Sequence, residues 1–225
     1  MAQVNFYLDG LRRFTNVCAD FVGRIHGVPV DTDRRATVQR LKPAHEAAIS
    51  ALGFSWGQVH FAEQVHGVEI AKVEEGDSPQ VWSQVDGLIT QESGVLLGIY
   101  VADCGAVYIV DPVNNALALL HSGKKGTEGN ITGKAIAMMR KEFGSRPEDL
   151  HVALAPCIRP PAYEMDFASQ IRDQVVEAGV PEDQYKDSGI CTSSDLGAYY
   201  SYRIEKGSTG RMLALLGMSD TGNSE

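Results

Sequence analysis

The sequence lacks several features that would assign it to a large class of proteins. Its four cysteines, Cys18, Cys104, Cys157 and Cys191, form no C-x-x-C pair, which argues against a disulfide framework and a zinc ribbon. No apolar run approaches the roughly 20 residues that span a bilayer, and residues 1–5 lack the basic stretch of a leader peptide. We therefore expect reduced thiols, no membrane contact and a cytoplasmic location.

Positive charge is scarce as well. The chain has 20 Lys and Arg residues against 29 Asp and Glu residues, its formal net charge is −9, and the basic residues are scattered. Nucleic-acid binding depends on clustered basic charge. We therefore expect no nucleic-acid partner, although this composition is compatible with a small cationic pocket for phosphate.

The chain is long and apolar enough to bury a full core. It has 225 residues, 44% of them hydrophobic, and contains no linker, repeat or low-complexity segment. We expect residues 1–225 to form a single monomeric domain, with 218–225 as a flexible tail.

The hydrophobic pattern predicts an α+β fold. Several apolar runs are continuous rather than alternating, which indicates strands covered on both faces. A helical pattern over residues 32–52 contains Pro43, where we expect a break or the start of a second helix. The other helices are predicted at 127–143, at 167–178 and after Ser193 or Ser194, and the strands at 17–25, 58–65, 68–73, 85–90, 95–102, 106–110, 116–120, 150–155 and 211–216.

Three side chains are candidates for a metal site. Cys104 and His121 each follow an apolar run, and His66 lies upstream. Catalytic zinc is typically held by three protein ligands with the fourth position open, and mixed Cys and His sets are known. The separations of 38 and 17 positions are too long for a local metal-binding loop. These side chains would have to meet through the fold, and either histidine alone is more often an ordinary polar residue.

The order of short motifs resembles the YfiH-type family. That family was named for polyphenol oxidase (laccase) activity and is now mostly described as zinc-dependent purine nucleoside phosphorylases. The match spans residues 17–216. Its motifs are Gln64-Val65-His66-Gly67, Asp86-Gly87-Leu88-Ile89-Thr90, Ala102-Asp103-Cys104, His121-Ser122-Gly123, Ala155-Pro156-Cys157-Ile158, Tyr163-Glu164, Cys191-Thr192, Tyr200-Ser201-Tyr202-Arg203 and Thr209-Gly210-Arg211.

The resemblance implies a four-layer α/β/β/α sandwich with mixed sheets, similar to the catalytic domain of certain bacterial deamidating toxins. It also implies zinc ligation by His66, Cys104 and His121, with Cys104 and His121 as catalytic residues. The implied substrates are adenosine, inosine, guanosine or 5′-methylthioadenosine together with phosphate. Adenosine deamination is a further implied activity, for which Glu164 is the candidate proton shuttle.

The positions of other residues within these motifs imply further roles. Arg24, Gln64 and Arg203 are the expected substrate-binding residues, with Lys124 and Arg211 as further candidates for phosphate or ribose. Asp103 is expected to orient the site as a hydrogen-bond acceptor.

The sequence departs from the family pattern beside the expected metal site. The family usually has Ala-Gly-Trp-Arg-Gly after its second zinc histidine, whereas this chain has Ser122-Gly123-Lys124-Lys125-Gly126. A rigid aromatic surface is lost, and a bidentate guanidinium becomes a point charge. The usual Cys-X-Pro is Cys104-Gly105-Ala106 here. We expect an intact metal site beside an altered substrate pocket.

Two other functions use the same residues. A metal-free cysteine hydrolase or amidase would employ Cys104 as nucleophile and His121 as base. An editing role on peptidoglycan precursors, or a non-catalytic role, would follow from the altered pocket. Copper laccase activity is the least favoured, because the six histidines include no His-X-His pair.

Overall fold

A computed structural model describes residues 5–219 and shows two mixed β-sheets with helices outside them. The strands are β1 (Val17–Val22), β2 (Val59–Ala62), β3 (Ile70–Val73), β4 (Val81–Trp82), β5 (Gly87–Thr90), β6 (Leu96–Val101), β7 (Gly105–Asp111), β8 (Ala116–Ser122), β9 (His151–Leu154), β10 (Tyr185–Asp187) and β11 (Met212–Met218). The α-helices are α1 (Asp9–Arg12), α2 (Arg34–Ala51), α3 (Lys124–Glu128), α4 (Ile131–Phe143) and α5 (Phe167–Glu177).

The two sheets pack face to face around the main core. The five-stranded sheet has the order β1-β11-β6-β2-β4 and the six-stranded sheet the order β10-β9-β7-β8-β5-β3. Ile99 of β6 and Ala214 of β11 share one buried cluster with Tyr108 of β7 and Leu119 of β8. Every residue of β6, β7, β8 and β11 is buried, so the continuous apolar runs do form strands covered on both faces.

Helices cover the outer face of each sheet. Ile49 of α2 packs with Phe61 and Tyr100 on the outside of the five-stranded sheet. On the other side, Met139 of α4 and Ile171 of α5 pack against the six-stranded sheet. The α+β class and the four-layer α/β/β/α arrangement are therefore confirmed. No helix in residues 5–219 has both the length and the apolar character that a membrane span requires.

Pro43 does not interrupt α2, and the predicted break is wrong. The helix continues from Arg34 to Ala51 with Pro43 inside it. Proline removes the hydrogen bond to the carbonyl of Gln39, and both residues are exposed, so water can reach that carbonyl. Packing of Leu41, His45 and Ile49 against the sheet holds the helix together across this position.

Two other helix predictions also differ from the structure. The helix expected after Ser193 or Ser194 is a short 3-10 helix, Thr192–Ser194, followed by turns. The Asp195 carboxylate accepts from the amides of Gly197 and Ala198 and so competes with helical hydrogen bonds. The helix predicted from residue 127 is divided into α3 and α4, because Asn130 adopts a left-handed conformation and caps the second segment.

The predictions for the two ends of the chain concern residues that lie partly outside the described part. Met218, placed in the expected tail, is the buried last residue of β11, and the Ser219 amide donates to the Asn16 carbonyl. The remainder of the tail, residues 220–225, and residues 1–4 of the stretch inspected for a leader lie outside the described part. The strands β4 and β10 were not predicted, because each has at most three residues.

Candidate functional site

One edge of the six-stranded sheet collects the candidate ligands. In the order β7-β8-β5-β3, β7 and β5 each run antiparallel to β8, and β3 runs parallel to β5. The residues before β7, β5 and β3 therefore lie at the same edge as the end of β8. Cys104 precedes β7, His121 is near the end of β8, Asp86 precedes β5, and His66 lies in the turn ahead of β3.

The three predicted ligands meet at this edge. His66, Cys104 and His121 each offer one ligand atom, and these atoms all lie within 4.8 Å of one another. The rings of His66 and His121 are perpendicular, with centroids 4.9 Å apart. Gly123 makes room for them, because a Cβ at that position would lie 2.8 Å from the Cys104 sulfur. The hypothesis that the fold brings these three side chains together is supported.

Asp86 holds this arrangement from behind. One carboxylate oxygen lies 2.7 Å from Nδ1 of His121, which leaves Nε2 free to face Cys104 or a metal. The same carboxylate accepts from the backbone amides of Val65, His66 and Gly67. His66 has φ of 62°, a left-handed conformation that is uncommon outside glycine, and these hydrogen bonds hold the turn that contains it.

The electrostatics favour a thiolate beside a charged imidazole. Burial by itself raises the pKa of Cys104, but the charge and hydrogen bond of His121 and those of His66 outweigh it and lower the pKa to about 6. Burial likewise lowers the pKa of His121, whereas Cys104 and Asp86 raise it to about 9. Burial raises the pKa of Asp86, but hydrogen bonds from His121 and the Gly67 amide hold it below its usual range. A deprotonated sulfur is the form that binds metals and attacks carbonyl carbons.

The ligand cluster opens into a cavity of about 550 Å³. Its walls come from both sheets and from the segments that connect them, and they combine aromatic and basic side chains. The lining residues are Arg34, Gln64, His66, Tyr100, Ala102, Asp103, Cys104, His121, Lys124, Ile158, Tyr163, Phe167, Tyr202, Arg203, Lys206 and Arg211. A cavity of this size matches a small organic ligand.

Basic charge is concentrated in this cavity although the protein is acidic. Arg34, Lys206 and Arg211 line it, and within residues 5–219 none of the three takes part in a salt bridge. Burial and the neighbouring charge of Arg34 lower the pKa of Arg211. The hydroxyl of Tyr100, another lining residue, is buried without a hydrogen-bond partner among the described residues. The Arg34 guanidinium donates to the Gln64 side-chain oxygen at 3.2 Å, and the Arg211 guanidinium donates to the carbonyls of Thr209 and Gly210. Both cations therefore face the cavity with neutral hydrogen-bond partners and without an ion pair among the described residues.

Gln64 and Arg203 both line the cavity, as predicted for substrate-binding residues. The Gln64 amide is already engaged, since it donates to the Tyr100 carbonyl at 2.5 Å and accepts from the Tyr100 amide at 3.0 Å. It extends the hydrogen bonding of β6, and its side-chain oxygen also accepts from the Arg34 guanidinium at 3.2 Å. Arg203 lies over the Tyr163 ring and donates to the Glu164 carboxylate at 3.3 Å.

Glu164 lies beside the cavity mouth rather than at the metal ligands. Its side chain is 54% exposed and is shared between Arg203 and Lys124, whose Nζ lies 4.0 Å away. Glu164 is not among the residues that line the cavity. A role as proton shuttle would require this carboxylate to leave both cations.

Arg24 is not among the residues that line this cavity, and its predicted role in substrate binding stays a prediction. Its guanidinium forms an ion pair with Glu205 at 2.7 Å, donates to the Tyr199 carbonyl and stacks on the ring of Tyr200. These contacts engage it within the fold and join the end of β1 to the C-terminal segment. The local Gly23-Arg24 motif contains no sign of these partners, which lie about 180 positions away.

Asp103 orients a loop rather than a ligand. Its carboxylate accepts from the hydroxyls of Thr192 and Ser201 and from the backbone amide of Arg203. It thereby anchors the segment that carries Arg203 next to Cys104. The predicted role as an acceptor for the ligands belongs instead to Asp86.

Sequence reasoning did not assign roles to Asp86, Arg34 or Tyr100. Asp86 had a detectable signal, because it is a lone acidic residue at the start of the apolar run Gly87–Thr90 and is completely buried. Arg34 had none, since a basic residue in the first turn of an amphipathic helix is ordinary. Only the packing of α2 beside β6 brings it to the cavity.

Comparison with known proteins agrees with this geometry. A family model described as "Multi-copper polyphenol oxidoreductase laccase" matches residues 27–170 and 162–219. The purine nucleoside phosphorylase YlmD of Geobacillus stearothermophilus is 33% identical, over 69% of this chain and 70% of the relative. The purine nucleoside phosphorylase of Deinococcus radiodurans is also 33% identical, over 75% and 74% of the two chains.

Solved structures show the same fold. The crystal structure of YlmD from Geobacillus stearothermophilus superposes with a TM-score of 0.82 at 28% identity and covers 93% of this chain and 94% of its own. The Bacillus licheniformis protein YfiH, at 24% identity, gives a TM-score of 0.82 over 90% and 93% of the chains and supports the fold alone. With the motifs, the fold and the family model in agreement, the chain belongs to the YfiH-type family described as multi-copper polyphenol oxidoreductase laccase.

Proposed function

We propose that this protein is a zinc-dependent purine nucleoside phosphorylase acting on adenosine, inosine, guanosine or 5′-methylthioadenosine. The observation that carries the proposal is a His66, Cys104 and His121 cluster that opens into a cavity where Arg34, Lys206 and Arg211 form no salt bridge within residues 5–219. Relatives that are 26% to 33% identical are named purine nucleoside phosphorylases, which supports the same assignment.

The donor set fits zinc. One thiolate and two imidazoles are ligands that zinc accepts in catalytic sites with an open position. The Asp86 carboxylate on Nδ1 of His121 is the partner that metal-bound histidines usually have. Bound there, zinc would supply Lewis-acid chemistry beside the substrate. Within residues 5–219 no second group of three such side chains converges, and a multinuclear copper centre would need more ligands.

Phosphate binding is assigned to Arg34 and Arg211. Both guanidiniums line the cavity without a carboxylate partner in the described residues, and guanidinium groups match phosphate oxygens in pairs. In phosphorolysis the ribose carbon becomes cationic as the purine leaves, so an anion held beside it stabilises the transition state. Tyr163 and Phe167 add aromatic surface to the cavity for a purine ring.

Adenosine deamination is a further proposed activity of the same site. Glu164 would carry the proton, by analogy with other zinc deaminases, which use a glutamate in this way. That role requires Glu164 to leave its ion pairs with Lys124 and Arg203. The product therefore decides between the two reactions.

One experiment separates these reactions. Zinc-loaded protein is incubated with adenosine, with and without phosphate, and the products are resolved by chromatography. Adenine and ribose 1-phosphate formed only with phosphate would support the phosphorylase, and inosine would support the deaminase. Failure to convert any of the four purine nucleosides with phosphate would reject both, and the predicted editing or non-catalytic role would then be the one to pursue.

A cysteine hydrolase is the second candidate, because the side chains are ordered as such an enzyme needs them. The Asp86 carboxylate would orient the ring, His121 would be the base and Cys104 the nucleophile. The Cys104 pKa of about 6 makes the sulfur largely thiolate at pH 7. Iodoacetamide labelling distinguishes the two readings. Stoichiometric zinc that protects Cys104 favours the metal enzyme, whereas a protein that binds no zinc and alkylates rapidly at Cys104 favours the hydrolase.

A further inference from the structure

The cavity carries more positive charge than one phosphate can neutralise. Five basic side chains line it, and the carboxylates of Asp103 and Glu164 are the acidic groups at or beside its wall. Outside the cluster of His66, Cys104 and His121 and the Asp86 carboxylate behind it, the five basic side chains exceed these two carboxylates by three charges. A phosphate dianion near neutral pH carries about two negative charges. In a protein whose net charge is −9, this concentration indicates a more strongly anionic set of substrates.

The basic residues fall into two groups on different parts of the fold. The inner pair consists of Arg34, which begins α2, and Arg211, which immediately precedes β11. The rim cluster consists of Lys124, which begins α3, and of Arg203 and Lys206 in the segment after residue 201. Glu164 contacts only the rim cluster, through Lys124 and Arg203.

The rim cluster is accessible to a ligand. The side chains of Lys124 and Arg203 are 49% and 54% exposed, and the Lys124 ion pair with Glu164 is long at 4.0 Å. Contacts of this kind are weak in water, so a phosphate can replace the Glu164 carboxylate between the two cations. Lys206 has no salt bridge among the described residues and adds a further charge.

We propose that the preferred organic substrate is a purine nucleoside 5′-monophosphate, with inorganic phosphate on the inner pair and the 5′-phosphate on the rim cluster. This inference rests on the proposed phosphorylase function. The C1′–N9 bond breaks, a C1′–O bond to inorganic phosphate forms, and the leaving purine takes the proton that hydrogen phosphate loses. The products are a free purine and ribose 1,5-bisphosphate.

Lys124 is the residue that determines this specificity. It occupies the position where the family pattern has tryptophan, so a positive charge stands where an uncharged aromatic surface would favour a neutral nucleoside. Its neighbour Lys125 is also exposed but does not line the cavity. The pair provides a matched comparison, because the same charge can be removed from either position of one helix.

The test compares AMP with adenosine on the zinc-loaded full-length protein and on its K124M, K125M and K124W variants. Binding is measured by calorimetry without inorganic phosphate, and base release is measured with it. AMP should bind more tightly than adenosine, and K124M should weaken AMP binding about fivefold, clearly more than it weakens adenosine binding. K125M should resemble the wild type. K124W should lose the preference for AMP, and E164Q should tighten AMP binding by freeing the rim cations.

The outcomes separate this inference from the function on which it rests. Release of adenine from adenosine but not from AMP, with K124M and K125M alike, would overturn the nucleotide assignment and leave the phosphorylase intact. A Lys124-dependent preference for AMP in binding, without base release from either compound, would retain the 5′-phosphate site and reject the phosphorylase. Equal binding of AMP and adenosine by all variants would overturn the inference.

Discussion

At the scale of single residues, the site depends on two positions that are not metal ligands. The Asp86 carboxylate connects two parts of the site: the turn that contains His66 and the ring of His121. It does so by taking part in four hydrogen bonds. Gly123 leaves the space that the Cys104 sulfur occupies. Both act by position: one holds the ligands in place, and the other allows them to approach each other.

Replacing Asp86 with asparagine should weaken metal binding about 10- to 100-fold. The asparagine side-chain nitrogen is a donor and would face backbone N–H groups that now donate to the carboxylate. His121 would also lose the contact that orients its ring. Zinc affinity is measured by competition with a chromogenic chelator. D111N is the matched control, because Asp111 is equally buried and caps the turn at Val113 and Asn114 at the other end of β7. Equal zinc affinities for both variants would contradict the role assigned to Asp86.

Replacing Gly123 with alanine should displace Cys104. A methyl group 2.8 Å from the sulfur cannot be accommodated without movement, so zinc affinity should fall by about tenfold or more. Gly10→Ala is the control, because nothing lies within 4 Å of a Cβ there. Unchanged zinc stoichiometry and affinity in G123A would show that the ligands do not require this spacing.

At the scale of elements, α2 contributes to both the core and the cavity. Its first residue, Arg34, lines the cavity, while its buried face packs on the five-stranded sheet. That face includes His45, which is fully buried beside Tyr100, and neither of its ring nitrogens has a hydrogen-bond partner in the described part of the chain. Burial lowers the pKa of His45 to about 4. The helix therefore contains a neutral histidine that resists protonation.

His45 should make the free energy of unfolding depend on pH. Its pKa in the folded state lies below the value of about 6.5 for an unfolded chain, so protonation favours unfolding. Neutral His45 makes its full contribution to the free energy of unfolding above pH 6.5, and this contribution declines as the pH falls towards 4. The free energy of unfolding lost between pH 7.5 and pH 5 amounts to about 2 kcal/mol. Urea denaturation of H45L should show a shallower decline than the wild type. H26A, at an exposed histidine, should keep the wild-type slope, and an unchanged slope in H45L would refute the assignment.

At the scale of the whole molecule, the three candidate metal ligands come from separate parts of one sheet. His66, Cys104 and His121 come from the segments ahead of β3 and β7 and from the end of β8, and the cavity wall adds residues from the five-stranded sheet. Occupancy of the site should therefore stabilise the entire domain, because a ligand that binds only the folded state shifts unfolding.

Metal removal should lower the melting temperature of the wild-type protein. Zinc at 100 times its dissociation constant contributes about 2.7 kcal/mol, and a chelator should abolish that contribution. C104S should melt at the same temperature with and without chelator, since the thiolate ligand is missing. C157S is the control, because burial holds the pKa of the Cys157 thiol at about 12 and it lies outside the ligand group. Identical chelator effects in wild type and C104S would argue against metal binding at this cluster.

The sequence by itself determined the composition of the site and the class of the fold. Continuous apolar runs require strands buried on both faces, and the order of short motifs indicated the family and the three candidate ligands that the fold brings together. Tertiary structure decided what those patterns could not, because the deciding contacts join distant residues. Asp86 meets His121 across 35 positions, and Arg24 is taken by Glu205 whereas Arg34 reaches the cavity. Helix α2 continues through Pro43 because the carbonyl left without its helical hydrogen bond is exposed to water, and no local pattern shows that exposure. The concentration of positive charge at the cavity follows from the packing of distant segments, which no single motif contains.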